Sequence, residues 1–282
     1  MTMLDLFIKN GVVVTPQGLT RGGVGVQDGR IVSISADTPP SRQEVDVHGL
    51  YVLPGLIDPH VHMGFGAAHG QGEVTYQSDF KTESVSAAVG GVTTVITSAT
   101  FGRSAEPMVS RMRRAQEIAR QNSLVDFKIF PFFITKNHVE EIPQLMEEGI
   151  TSFKFPLAYV GQEQWRQPGM GVDWSFLYRG LELVAQCGPP ALAMVHAEEP
   201  TIIDFLEARL KAQGKGGLPA WTEARPSACE TMHIFAAGLL AGELGHRYMW
   251  CTQVPKRAWM PSSICRPGAF RSTARPAPTI CS

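Results

Sequence analysis

The strongest constraint on the fold is a regular alternation of strand and helix patterns from about residue 54 to about residue 244. Short apolar runs such as Val92–Ser98 and Ile150–Phe155 alternate with segments of helical periodicity. Such alternation is typical of right-handed βαβ units that share a parallel sheet. Polar motifs fall at the ends of the apolar runs, which is where (β/α)8 barrels carry their active sites. We therefore predict an α/β fold whose main part is an incomplete TIM (β/α)8 barrel, with a doubly wound open sheet as the alternative.

The first 53 residues lack this alternation and have the pattern of short strands. Asn10-Gly11 and Asp28-Gly29 lie between β-rich runs and are dipeptides that favour hairpin turns. We predict a small β-sandwich element over residues 1–53 and the partial barrel over residues 54–246. Residues 247–282 form a third segment of different composition.

Composition and charge exclude several classes of function. The chain has 25 Lys+Arg and 26 Asp+Glu, a formal net charge of −1, so nothing indicates binding to nucleic acid or to an acidic membrane surface. No apolar run approaches the roughly 18 residues of a membrane span, and the N-terminus lacks the pattern of a secretory signal. We therefore expect no membrane helix and a cytoplasmic location. The five cysteines show no CxxC spacing and indicate no disulfide framework.

His60-Val61-His62 ends an apolar run that begins at Leu56. Alternate residues of a strand point to the same face, so both imidazoles can enter one site at the carboxyl end of the strand. Neutral imidazole is a good ligand for zinc. The alternative is that the two histidines are ordinary surface residues near the end of a strand.

Two later apolar runs carry the next candidates. Lys154 lies inside the run Thr151–Phe155, where burial favours the neutral amine. A neutral amine can react with carbon dioxide to give a carbamate, an anion able to bridge two metal ions. The alternative is a lysine that extends out of the strand end to solvent. His196 ends the run Ala191–His196, and its alternative is a core histidine with satisfied hydrogen bonds.

Together these motifs and their neighbours resemble the amidohydrolase superfamily, and within it the hydantoinase and dihydropyrimidinase branch of cyclic amide hydrolases. The resemblance runs from about residue 5 to about residue 245. Dihydroorotases and allantoinases share the histidines and the lysine, so they stay open as alternatives. The residues that carry it are Pro54-Gly55-Leu56-Ile57-Asp58 before the histidine pair, Met63 after it, Lys154 with Tyr159, Val195-His196-Ala197-Glu198, and Arg225-Pro226 with Glu230.

The resemblance implies two divalent metal ions, expected to be zinc, held by His60, His62 and His196 and bridged by carboxylated Lys154. It implies ring opening of a hydantoin- or dihydropyrimidine-type amide by a hydroxide between the metal ions. Tyr159 is the implied hydrogen-bond donor to the developing oxyanion; its alternative is an ordinary loop tyrosine. The implied partner is a small cyclic amide, and the intact family member is expected to be a homo-oligomer. Four residues receive no role and are expected in loops or at the surface: His69, Glu73, His138 and His233.

Residues 247–282 depart from the resemblance. They contain six Lys+Arg, no Asp or Glu, and five prolines, which leaves 19 basic and 26 acidic residues, a formal charge of −7, in the preceding part. The family's fourth ligand histidine and its catalytic aspartate, expected on later strands, are missing. One interpretation is a basic tail that binds a partner.

A frameshift near residues 245–248 is the interpretation we favour. Read from the third base of each codon, residues 247–256 permit Val-His-Val-Val-His-Ala-Ser-Ser-Lys, and Val-Val is forced because Met249 and Trp250 have single codons. The same shift over residues 271–281 permits Val-Tyr-Gly-Glu-Thr-Cys-Pro-His-Tyr-Leu. Both readings resemble strands of the family. We then expect a truncated product with an unclosed sheet, poor solubility and little or no activity. A non-catalytic scaffold relative is the remaining alternative.

Overall fold

The computed structural model describes residues 3–64, 72–99, 106–157, 172–245 and 248–251. The chain separates into two compact units, Met1–Leu56 and Ile57–Ser282. Their boundary lies three residues after the end of the predicted N-terminal element. None of the helices in the described ranges combines the length and apolar composition that a membrane span requires.

The N-terminal unit is built on one five-stranded sheet. Its order is β3-β2-β1-β4, and β5 also pairs with β1. The β1–β2 and β2–β3 pairs are antiparallel, whereas β4 and β5 run parallel to β1. The described part of this unit is therefore one connected sheet, and the predicted β-sandwich element stays a prediction. The strands are β1 (Leu4–Thr15), β2 (Gly18–Gln27), β3 (Arg30–Ser35), β4 (Ser41–Asp46) and β5 (Tyr51–Val52).

The two turn dipeptides of this unit have different outcomes. Asp28-Gly29 joins β2 to β3, with φ angles of 50° and 69°, and positive φ at both positions is what a two-residue hairpin turn requires. The turn prediction at Asn10-Gly11 is wrong, because both residues lie inside β1. Asn10 has a φ of 59° and sits where the register of β1 against β2 shifts. A residue that tolerates positive φ suits a β-bulge as well as a turn.

The second unit alternates strands and helices, as the sequence pattern predicts. The pattern does not predict the short helix at Gly217–Glu223, and a 3₁₀ helix at Lys136–Glu141 follows the third strand of this unit. The strands are β6 (Leu56–Val61), β7 (Val92–Ala99), β8 (Asp126–Pro131), β9 (Ser152–Pro156), β10 (Leu192–His196) and β11 (Tyr248–Cys251). The helices are α1 (Gly72–Val89), α2 (Met108–Asn122), α3 (Ile142–Glu147), α4 (Trp174–Cys187), α5 (Pro200–Ala212), α6 (Gly217–Glu223) and α7 (Ser227–Glu243).

The strands of the second unit neighbour one another in chain order. Two three-stranded sheets have the orders β6-β7-β8 and β9-β10-β11. A parallel bridge between Phe132 and Lys154 joins them, and the Phe133 N–H donates to the carbonyl of Lys154 at 2.9 Å. A doubly wound sheet reverses its strand order at a switch point, and the described strands contain no such reversal. Their order is that of consecutive barrel strands, although the described strands form an open run.

Aromatic side chains fill the core beneath β9. Phe153 and Phe155 are fully buried and pack against Phe133 at ring distances of 6.2 and 5.4 Å. Helix α4 crosses this layer at Gly180, where a Cβ atom would lie only 2.2 Å from the ring of Phe155. The absence of a side chain at this position lets α4 come close to β9, the strand that carries Lys154.

Candidate metal centre

His60 and His62 lie at the carboxyl end of β6 and face Lys154. The two imidazole rings are 4.8 Å apart, and Nζ of Lys154 is 3.4 Å from Nε2 of His60. Lys154 is only 1% exposed, so the lysine does not extend to solvent. His60 is half-buried and His62 is exposed. The structure thus gathers three of the four predicted ligands at one strand end.

The environment keeps both histidines neutral. Burial lowers the pKa of His60 to about 4, and the nearby Lys154 ammonium adds to this shift. Burial and the same ammonium also lower the pKa of His62. A metal ion requires a neutral imidazole, so these rings are in the protonation state that a ligand needs at neutral pH.

His196 ends β10, the strand that pairs with β9 so that Met194 lies opposite Lys154. It is close enough to depress the pKa of both His60 and His62. Its Nε2 is 2.9 Å from Oε2 of Glu198. The fourth predicted ligand is therefore at the same edge of the sheet. Its Nδ1 could bind a metal ion while the Nε2–H donates to Glu198, because a carboxylate commonly holds the second nitrogen of a ligating imidazole.

The ligand set fits a metal ion only when Lys154 is counted. Among the described residues, no three side chains of His, Cys, Asp and Glu come together closely enough to hold a metal ion. Lysine becomes a ligand when its amine is carboxylated, and the buried amine beside His60 is placed for that role. The residues that would hold metal ions are His60, His62, Lys154 and His196.

Three polar residues to which the sequence pattern gives no role hold the end of β6: Asp58 of the motif, Thr97 and Ser98. Asp58 accepts the backbone N–H of His60 at 3.1 Å, and the hydroxyl of Thr97 accepts that of Met63 at 3.0 Å. The hydroxyl of Ser98 lies 3.4 Å from Nδ1 of His62, and both hydroxyl residues are fully buried. Their signal in the sequence is a polar pair at the end of the apolar run of β7, the same kind of signal as the histidine pair.

The remaining sequence expectations have mixed outcomes. Tyr159 and His69 lie outside the described residues. The surface assignment of His138 and His233 is wrong, because these residues are only 3% and 5% exposed. For His233 the helical spacing does carry a signal, because this residue shares the buried face of α7 with Cys229, Ile234 and Ala237. Glu73 opens α1 and forms an exposed ion pair with Arg114, which agrees with the expectation.

The structure thus combines chain-order strands in an α/β unit, a histidine pair at the end of β6, a buried lysine on β9 and a histidine at the end of β10. Over 213 residues the chain is 37% identical to a D-hydantoinase of Geobacillus stearothermophilus, covering 73% of this chain and 42% of that protein. It is 29% identical to an allantoinase of Deinococcus radiodurans over 247 residues, covering 86% and 51% respectively. No protein-family model matches the chain.

The solved structures to which the chain is similar include a hydantoinase as well. An L-hydantoinase (dihydropyrimidinase) from Arthrobacter aurescens superposes with a TM-score of 0.76 at 30% identity, covering 88% of this chain and 52% of that one. The chain is thus a homologue of the hydantoinases and allantoinases, as the sequence resemblance predicts. It spans about half the length of the relatives it matches.

Proposed function

We propose that this chain supplies the metal-ligand half of an enzyme that hydrolyses the C–N bond of a cyclic amide. The observation that carries the proposal is the buried amine of Lys154, 3.4 Å from the half-buried ring of His60. Hydantoin- and dihydropyrimidine-type rings are the proposed substrates, because the relatives described above are named for those activities.

The residues have separate tasks in this proposal. His60 and His62 bind as neutral imidazoles, Lys154 binds as a carbamate, and His196 binds from the neighbouring strand. Two divalent metal ions, zinc being the expected metal, would supply a hydroxide nucleophile at neutral pH. Tyr159 would donate a hydrogen bond to the developing oxyanion. Buried Thr97 and Ser98 hold the end of β6 and so orient the histidine pair.

Allantoin is the second candidate substrate. The match to the allantoinase of Deinococcus radiodurans extends over 247 residues, more of this chain than the match to the D-hydantoinase covers. Both reactions open a five-membered ring at an amide bond, so the same ligands serve either one. The resemblance also leaves dihydroorotate open as a substrate.

A carbamate signal tests the role of Lys154. Carbon-13 NMR of the purified chain, prepared in labelled bicarbonate with zinc, is expected to show one carbamate resonance. The Lys154→Met variant is expected to lack this resonance, and Lys128→Met, which replaces an exposed lysine on β8, is expected to keep it. A parent chain without the resonance would argue against a carboxylated lysine.

We further propose that residues 247–282 are encoded out of frame. Strand β11 pairs in parallel with β10 and places Cys251 opposite His196. In the shifted reading a histidine codon begins with the last base of the Cys251 codon, next to that ligand. Nucleotide sequencing across residue 245 tests this, because a gene with no family-like continuation in the shifted frame would contradict it. An inactive truncated product is the corresponding proposal for the chain as it stands.

The resemblance also supports proposals on partners and location. A small cyclic amide is the proposed partner, and a homo-oligomer of the intact protein in the cytoplasm is the proposed setting. Protein expressed from the restored reading frame and assayed against hydantoin, dihydrouracil, dihydroorotate and allantoin separates the substrates. Ring opening of none of them would contradict the proposed activity.

A further inference from the structure

A side-chain pair outside the ligand set, Glu199 with buried His233, holds the turn that follows His196. Glu199 lies three residues after His196 and is the N-cap of α5, where its Oε1 accepts the backbone N–H of Thr201 at 2.9 Å. Its other carboxylate oxygen is 2.8 Å from Nε2 of His233, a residue of α7 that is 5% exposed. One carboxylate thus connects the start of α5 to α7.

Two further contacts support this connection. The backbone N–H of Glu199 donates to the carbonyl of Cys229, in the first turn of α7, at 3.1 Å. The ring of Trp174, the first residue of α4, meets the edge of the His233 ring at 4.8 Å. Among the described residues, Nδ1 of His233 has no hydrogen-bond partner, so Glu199 is the polar group that orients this imidazole.

The pKa shifts of His233 and Glu199 favour a hydrogen bond from a neutral imidazole to a carboxylate. Burial lowers the pKa of His233, and Glu199 only partly opposes this shift. Burial works to raise the pKa of Glu199, but the hydrogen bonds from Thr201 and His233 outweigh it and leave that pKa lowered. At neutral pH the His233 Nε2–H therefore donates to an ionised Glu199.

We propose that Glu199 and His233 are positioning residues that fix the turn after β10 and thereby hold His196 at the metal centre. The inference rests on the proposed metal-binding function, since it concerns how one ligand of that site is held. Pairing with β9 fixes the backbone of His196, whereas the turn determines where Glu198, the present partner of its Nε2, lies. A displaced turn would move Glu198 and the imidazole together. Partners outside the ligand shell commonly change metal affinity by about 10- to 100-fold.

Zinc titration of the full chain against a competing chelator tests this role. His233→Leu keeps the bulk but removes the donor, and we expect it to weaken zinc binding about 10-fold. His233→Gln retains an N–H donor and is expected to stay within about 3-fold of the parent. The matched control is His138→Leu, a buried histidine whose Nε2 lies 2.8 Å from the carbonyl of Glu106; it should leave zinc affinity unchanged.

Amide hydrogen exchange over residues 197–201 provides a second measurement, with faster exchange expected in His233→Leu only. Faster exchange with unchanged zinc affinity in His233→Leu would overturn the positioning role, because the pair would then be purely structural. Equal loss of affinity in His138→Leu would overturn it too. A parent chain that binds no zinc contradicts the proposed function itself and this inference with it, a result distinct from a parent that binds zinc and a variant that binds equally well.

Discussion

Lys154 places an amine in the interior of a strand, where an ammonium ion loses most of its hydration. We expect Lys154→Met, which replaces the amine with an apolar chain of similar length, to leave the metal-free protein as stable as the parent or about 1 kcal/mol more stable. Zinc at about 100 times its dissociation constant should stabilise the parent by about 2.7 kcal/mol and the variant much less. Thermal unfolding with and without zinc measures both effects, and equal stabilisation of the two proteins would contradict the ligand role.

His233 gives a prediction about pH. Burial lowers the pKa of its imidazole in the folded state, so the unfolded chain binds the proton first as the pH falls below about 6.5. Above about pH 6.5 His233 is neutral in both states and does not make the free energy of unfolding depend on pH. As the pH falls further, that free energy decreases. His196 strengthens this lowering, whereas Glu198 and Glu199 oppose it.

We therefore expect the free energy of unfolding of His233→Gln to decrease less steeply than that of the parent between about pH 6.5 and 5. Denaturant unfolding at several pH values measures the two slopes. Parallel slopes would show that His233 titrates in the folded protein as it does in the unfolded chain.

At the scale of elements, the alternation of strands and helices could be predicted from the sequence because strands with two buried faces are apolar throughout. The site could be predicted in part, since His60, His62, Lys154 and His196 interrupt or end such runs. The bulge at Asn10 could not, because a residue that tolerates positive φ fits a turn and a bulge equally. The hydrogen-bond partner of His233 could not be predicted either, because Glu199 lies 34 positions away and no local pattern reveals that contact.

The packing of α4 on β9 is tested by two helical glycines. A Cβ at Gly180 would meet the ring of Phe155 at 2.2 Å, whereas one at Gly242 of α7 has no neighbour within 4 Å. We expect Gly180→Ala to destabilise the fold by about 1–3 kcal/mol through overpacking. Gly242→Ala should stabilise it by about 0.5–1 kcal/mol through helix propensity. Denaturant melts of both variants measure this, and a neutral Gly180→Ala would mean that α4 does not approach β9 as described.

At the scale of the whole molecule, β11 is the last described strand in the strand order of the second unit. Parallel strands without a neighbour expose backbone donors and acceptors that favour association between chains. If residues 247–282 are out of frame, restoring the frame should raise the soluble yield and lower aggregation on heating. Size-exclusion chromatography and light scattering of the two proteins compare them, and a 282-residue chain that stays soluble and monodisperse would contradict this expectation.

We propose that His60, His62, Lys154 and His196 form one metal centre. Isothermal titration of zinc into the purified chain, in buffer that contains bicarbonate, measures whether they do. We expect saturable binding that Lys154→Met weakens by about 10-fold or more, that His60→Asn weakens similarly, and that Lys128→Met leaves unchanged. Binding that does not saturate, or that none of these substitutions alters, would show that these residues do not form a metal centre.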